Sequence, residues 1–202
     1  MNSCLRNVYI TFLVGLLIMA GFLVLYRRLA VPVSNVWLYF GVFIASILLI
    51  LMLGRMAMGV WKVLVGVAFL AALAYIFYPL VASLRGDEIW KFVLITALFF
   101  IVLTIIAFVL PTATFASWGN ILFILLFLLI IFGLLGGFLF RNSPQFRLVF
   151  YLLVLLVFGG LILYDTYRIA NFCDQSDAIN SALPLVLNAA NVFGATSGIG
   201  TL

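Results

Sequence analysis

The chain of 202 residues has no histidine, five acidic side chains and two cysteines. Each shortage excludes something. Without histidine there is no Ser–His dyad and no histidine-based metal site. An intramembrane protease built on two aspartates needs a second buried acid, and only Asp165 closes an apolar run. Cys4 and Cys173 make no metal-ligand spacing. The chain is therefore expected to be no enzyme and to need no cofactor. Charge is scarce as well: 7% of residues are charged, against roughly a quarter in soluble domains. That is too little polar surface to cover a globule in water, so the expected solvent is lipid.

What is present agrees with this. Hydrophobic residues make up 68% of the chain and aromatics 16%, with 21 Phe, and the mean hydropathy is +1.43. The net charge of +5 comes from cations scattered singly or in pairs between apolar runs. That is how loop charges are distributed in a polytopic protein, and no nucleic-acid partner is expected. The first apolar run continues from Val8 to Tyr26 and stops at Arg27–Arg28. It has no small-residue cleavage site, so it reads as a retained helix rather than a signal peptide.

A helix needs about 20 apolar residues to cross the hydrocarbon. Seven runs qualify: 8–26, 35–54, 59–82, 90–110, 118–140, 147–168 and a more polar 179–199. They are continuous rather than alternating, which excludes barrel strands. Connections such as "SLRGDE" and "RNSPQ" are short and leave no room for a soluble domain. The expected architecture is an all-α integral membrane protein, residues 1–202 forming a single polytopic domain. Four cations (Arg6, Arg55, Lys62, Arg168) fall on the face of the N-terminus, and six (Arg27, Arg28, Arg85, Lys91, Arg141, Arg147) on the other. Charge alone leans weakly toward an N-terminus outside.

Asp165 is the conspicuous polar residue. Seventeen apolar or small residues separate it from Arg147, about 25 Å of helix, slightly less than the hydrocarbon thickness. One reading is an interfacial acid paired with Arg168 at i,i+3. The other is functional, because intramembrane carboxylates usually are, and ionising one away from water is costly. In "NSALPLVLNAANVFGATSG", Ser181, Pro184, Asn188, Asn191, Ala195 and Gly198 fall on one stripe. Small and amide residues in a stripe suit helix packing as well as they suit binding. Asn188 and Asn191 need partners in lipid, and Asp165 is a plausible one. Arg55 is either a loop anchor or an inward counter-charge to Asp165. Gly133/Gly137 and Gly194/Gly198 are weak GxxxG packing signals. Trp37, Trp61, Trp90, Trp118, Tyr164 and Tyr167 lie near span ends, as interfacial anchors do. Asp174 and Asp177 could gather a cation with Asp165, but a solvated loop with an N-cap at Asp177 is the simpler reading.

Several stretches together resemble the Bax inhibitor family. "LRNVY" (5–9) is similar to its opening, "YIFYPLV" (75–81) to its Pro-containing end of helix three, "LILYDTYRI" (161–169) to its helix-six signature, and "ALPLVLNAANVF" (182–193) to its last helix. The resemblance implies a bundle of six helices around a central, more polar seventh. It implies a pH-sensitive calcium leak gated by two aspartates, with a basic residue from the end of helix two holding the closed state. Carried over, these are Asp165, as titrating group and calcium contact, and Arg55. The second aspartate is replaced by Asn188, which cannot titrate, so no proton is shared between two carboxylates. Arg168 and Asn191 are secondary candidates. Calcium is expected as a transported ion, not a resident metal. The rival expectation is a non-transporting protein that modulates a membrane partner, such as a membrane-bound protease or a cell-death factor, as a monomer or weak oligomer. The membrane implied is a bacterial inner membrane, or the endoplasmic reticulum or Golgi in a eukaryotic or viral setting. The family places the N-terminus in the cytosol, so Cys4 and Cys173 would share a reducing side and form no disulfide. The chain ends at Leu202 without the charged tail common in the family, which reads as a shortened end.

Overall fold

A computed structural model describes residues 3–32, 36–110, 115, 117–140, 143–172 and 177–202. These residues form seven helices and no strand: α1 (Ser3–Arg28), α2 (Val36–Leu53), α3 (Val60–Ser83), α4 (Gly86–Val109), α5 (Trp118–Leu139), α6 (Pro144–Phe172) and α7 (Ala178–Gly200). Helices are the natural outcome for such runs, since hydrocarbon offers no partner to backbone N–H and C=O groups. Six of the helices are long and apolar enough to cross a membrane, while α2 is shorter. Of the six, α7 is the least apolar and the most buried, with 61% of its span enclosed against 17–39% in the others.

α4 starts four residues before its expected run, at Gly86, and α1 and α6 extend beyond theirs for local reasons. α1 begins at Ser3 because its buried stripe of Cys4, Val8, Phe12, Gly15 and Met19 keeps helical spacing back to Cys4. α6 begins at Pro144, a residue suited to a first helical position. The Ser143 hydroxyl accepts the Phe146 N–H at 3.2 Å, which caps that start. At its other end α6 keeps burying Thr166, Tyr167 and Ile169, and it runs on to Phe172. Asp165 therefore lies seven residues before the helix end, about 10 Å deeper than a terminal acid. Cys4 is 3% exposed and disulfide-bonded, which overturns the expectation of no disulfide. Cys173, the other cysteine of the chain, lies outside the described residues, as does Asp174.

The chain divides into two compact units, Met1–Arg85 with Cys173–Val186, and Gly86–Phe172 with Leu187–Leu202. In the first, α3 packs against α1 and α2. Tyrosine hydroxyls tie these helices by donating to carbonyls: Tyr26 to Ala71 at 3.1 Å and Tyr39 to Ile76 at 3.1 Å. The Tyr26 ring also meets Tyr75 and Tyr78 edge-on, at 6.0 and 6.1 Å. Those two tyrosines belong to the "YIFYPLV" stretch.

In the second unit, α6 packs against both α4 and α5. Adjacent glycines allow this. A side chain on Gly159 would press on Phe99 and Leu103 of α4, and one on Gly160 would overlap Leu122 of α5. Gly133 likewise faces the Phe150 ring, while the surroundings of Gly137 lie outside the described residues. On α4, Trp90, Leu94, Leu98, Ile101 and Ile105 are exposed, whereas Phe92, Thr96, Phe100 and Ala107 are buried. Both faces are apolar, so hydrophobic periodicity carries no information about which one turns inward.

Trp37, Trp61 and Trp90 are strongly exposed, consistent with anchors. Tyr167 is instead buried, with its ring 6.0 Å from that of Phe115.

Candidate functional site

Asp165 lies on the packed face of α6. Ile162 one turn before it and Thr166 next to it are fully enclosed, and Ile169 one turn after is buried. Asp165 as a whole is 9% exposed. Asn188 stands on α7 beside Ala189 and one turn before Val192, and is 3% exposed. Ala189, Ala190 and Ala195 of the same helix are buried small residues, of the kind that permit close helix packing. Gly198, whose added side chain would run into the Tyr151 ring of α6, does the same further along.

The two polar groups meet. Asn188 Nδ2 donates to Asp165 Oδ2 at 2.8 Å. A hydrogen bond to a charged group contributes roughly 1.5–3 kcal/mol, and here it also spares a buried carboxylate from standing alone. Arg168, one turn along α6, is exposed and is not the hydrogen-bond partner of Asp165. Arg168 acts on Asp165 by charge along the same helix, as the i,i+3 spacing suggests, and the hydrogen bond comes from the neighbouring helix.

The other singled-out residues are placed differently. Asn191 turns its amide back onto its own helix, donating to the Leu187 carbonyl at 2.8 Å. Arg55 is exposed in the turn after α2, where its backbone N–H donates to the Met52 carbonyl at 3.0 Å. It belongs to the first unit and Asp165 to the second.

Among the described residues the buried cation is Lys62 of α3, which is completely enclosed. Its Nζ donates to Asp177 Oδ2 at 2.6 Å and to the Met56 carbonyl at 2.8 Å. Asp177 also performs the capping role read from sequence, since its Oδ1 accepts the Asn180 N–H at 3.2 Å. Sequence reasoning missed the ion pair because 115 positions separate its members. The available signal was a lysine inside an apolar run, which has to find a charge partner. A second missed feature is Thr166, fully buried, whose hydroxyl has no hydrogen-bond partner.

Asp165 Oδ1 and Asn188 Oδ1 are hard oxygen donors suited to calcium. Two such atoms fall short of the six to eight that hold the ion. Among the described residues no group of three or more His, Cys, Asp or Glu could hold a metal.

The comparison with known families covers this same ground. A family model described as "Inhibitor of apoptosis-promoting Bax1" matches residues 1–196. No curated protein matches the chain at a significant level. The family match takes in all seven helices except the last few residues of α7, and with them both Asp165 and Asn188. The chain is thus a multi-pass helical membrane protein, and it belongs to the Bax inhibitor family.

Proposed function

We propose that this protein is a slow calcium or cation leak whose rate depends on pH through Asp165. The observation that carries the reading is the buried hydrogen bond between Asp165 and Asn188. A carboxylate is costly to place in a span, and here its hydrogen-bond donor is an amide on the neighbouring helix. In this reading Asp165 is the cation contact and the titrating group, and Asn188 is its partner across α6 and α7.

The test is calcium flux from proteoliposomes between about pH 5 and 8, the range where a carboxylate in an apolar setting changes charge. The parent should leak with a pH dependence that Asp165→Asn abolishes. An Asp165→Asn protein that leaks like the parent at every pH would sink the assignment.

One observation favours a second reading, a non-transporting protein that modulates a membrane partner. The second position holds an amide, Asn188, which cannot share a proton with Asp165. Absence of flux at every pH, together with a stable membrane-protein partner in pull-downs, would support it.

A further inference from the structure

A crevice within the first unit has no part in the reading above. α1 and α3 are tied by the Tyr26 hydroxyl, which donates to the Ala71 carbonyl at 3.1 Å. Nearer their N-terminal ends each helix contributes a glycine, Gly15 and Gly66, and side chains are withdrawn from the seam. There a cavity of about 120 Å³ opens between the two helices and the first half of α7. α7 forms its floor. An added side-chain carbon would lie 3.0 Å from Val186 at Gly15 and 4.0 Å from Ile179 at Gly66. Leu183 and Val186 on that floor are buried, whereas Val14 and Val63 in the same lining are 46% and 47% exposed. The crevice is thus closed by α7 and open along the seam between α1 and α3.

Its chemistry and its depth select an occupant. The one polar side chain in the lining is Thr11, whose hydroxyl already donates to the Asn7 carbonyl at 2.8 Å. An enclosed water needs about two to four polar partners, and an apolar cavity of roughly 150 Å³ takes up benzene instead. On α3 the lining runs from Val63 to Leu70, two to nine residues beyond the exposed Trp61. That is about 3–14 Å along the helix from a side chain of the kind that sits at headgroup level. Half of the hydrocarbon core is about 15 Å thick, so the crevice spans the depth of one leaflet. Its mouth is continuous with the lipid-facing surface, where Leu17 of α1 and Leu64 of α3 are exposed.

We propose that this crevice is a lipid site that holds one acyl chain of a membrane phospholipid from that leaflet. The chain lies between α1 and α3 and reaches the buried face of α7 at Ile179 and Leu183. The site rests on the membrane setting of the chain and does not depend on conduction at Asp165.

The test is photolabelling of the full-length protein in vesicles of phosphatidylcholine that carries a diazirine on one acyl chain, with the adducts mapped by peptide mass spectrometry. Adducts should form on Ile179 or Leu183 of α7 as well as on the exposed Leu17 and Leu64. Gly66→Leu, whose side chain fills the crevice, should lose the α7 adducts and keep those on Leu17. Val63→Trp is the second variant: the position is half-exposed, and a ring there covers the mouth without entering the core. It should lose the α7 adducts as well, and it decides alone if Gly66→Leu fails to fold. Labelling of Leu17 and Leu64 with none on α7 in the parent overturns the proposal. So do α7 adducts that persist undiminished in a folded variant.

Discussion

Asn188 donates to Asp165 over 2.8 Å with both side chains buried, and Asn191, one turn further along α7, donates to its own helix instead. Two asparagines of one stripe thus carry different roles. One joins α7 to α6, and the other satisfies itself.

That difference is measurable. Asn188→Ala leaves a buried carboxylate without its donor and should cost about 1–3 kcal/mol. Asn191→Ala should cost well under about 1 kcal/mol, because the carbonyl it releases keeps its place in the helix ladder. Denaturant unfolding in detergent compares them, and equal losses would show that the bond between helices carries no special weight.

The ion pair of the first unit should behave non-additively. Lys62→Met leaves Asp177 without its charge partner and should cost about 3 kcal/mol, near the low end for a buried pair because Asp177 is partly exposed. Adding Asp177→Asn should restore part of that loss. A double variant as damaged as the sum of the two singles would mean the groups act independently.

Glycine substitutions should separate packed from open positions. Gly198→Ala drives a methyl into the Tyr151 ring and should cost about 1–3 kcal/mol, the usual penalty for overpacking. At Gly21 an added carbon meets nothing within 4 Å, so Gly21→Ala should be neutral or slightly stabilising. Unfolding midpoints of the two proteins provide the check.

The disulfide at Cys4 predicts thiol chemistry. The unreduced chain, unfolded in denaturant, should take up no maleimide, and the reduced chain should take up two, one for each cysteine. Uptake of two labels without reductant would show that both thiols are free.

Much of the architecture was readable before any coordinates, because long apolar runs in lipid leave the backbone little choice but helix. The contact between Asp165 and Asn188 was readable too, since a lone acid and an amide stripe in a greasy chain have few partners other than each other. The helix ends were less so: α6 overruns its expected end at 168 because Ile169 still has a surface to bury. The inward face of α4 was invisible, as apolar residues line it all round. Arg55 and Lys62 are seven positions apart at the same end of the chain's early helices, and nothing in local sequence says which of them is enclosed. That is decided by Asp177, more than a hundred residues away.

The pair Gly159–Gly160 has a consequence for assembly. Water drives apolar surfaces together, but lipid tails are as apolar as the helices themselves, so close packing has to supply what solvent does not. Ordering a long side chain at a contact costs up to about 2 kcal/mol in lost rotamer freedom, and ordering glycine costs none. At Gly159 and Gly160, α6 presents bare backbone to α4 and α5, and there only the side chains of the neighbours have to be immobilised. The helix that bears the buried carboxylate thus docks at these two positions without ordering a side chain of its own.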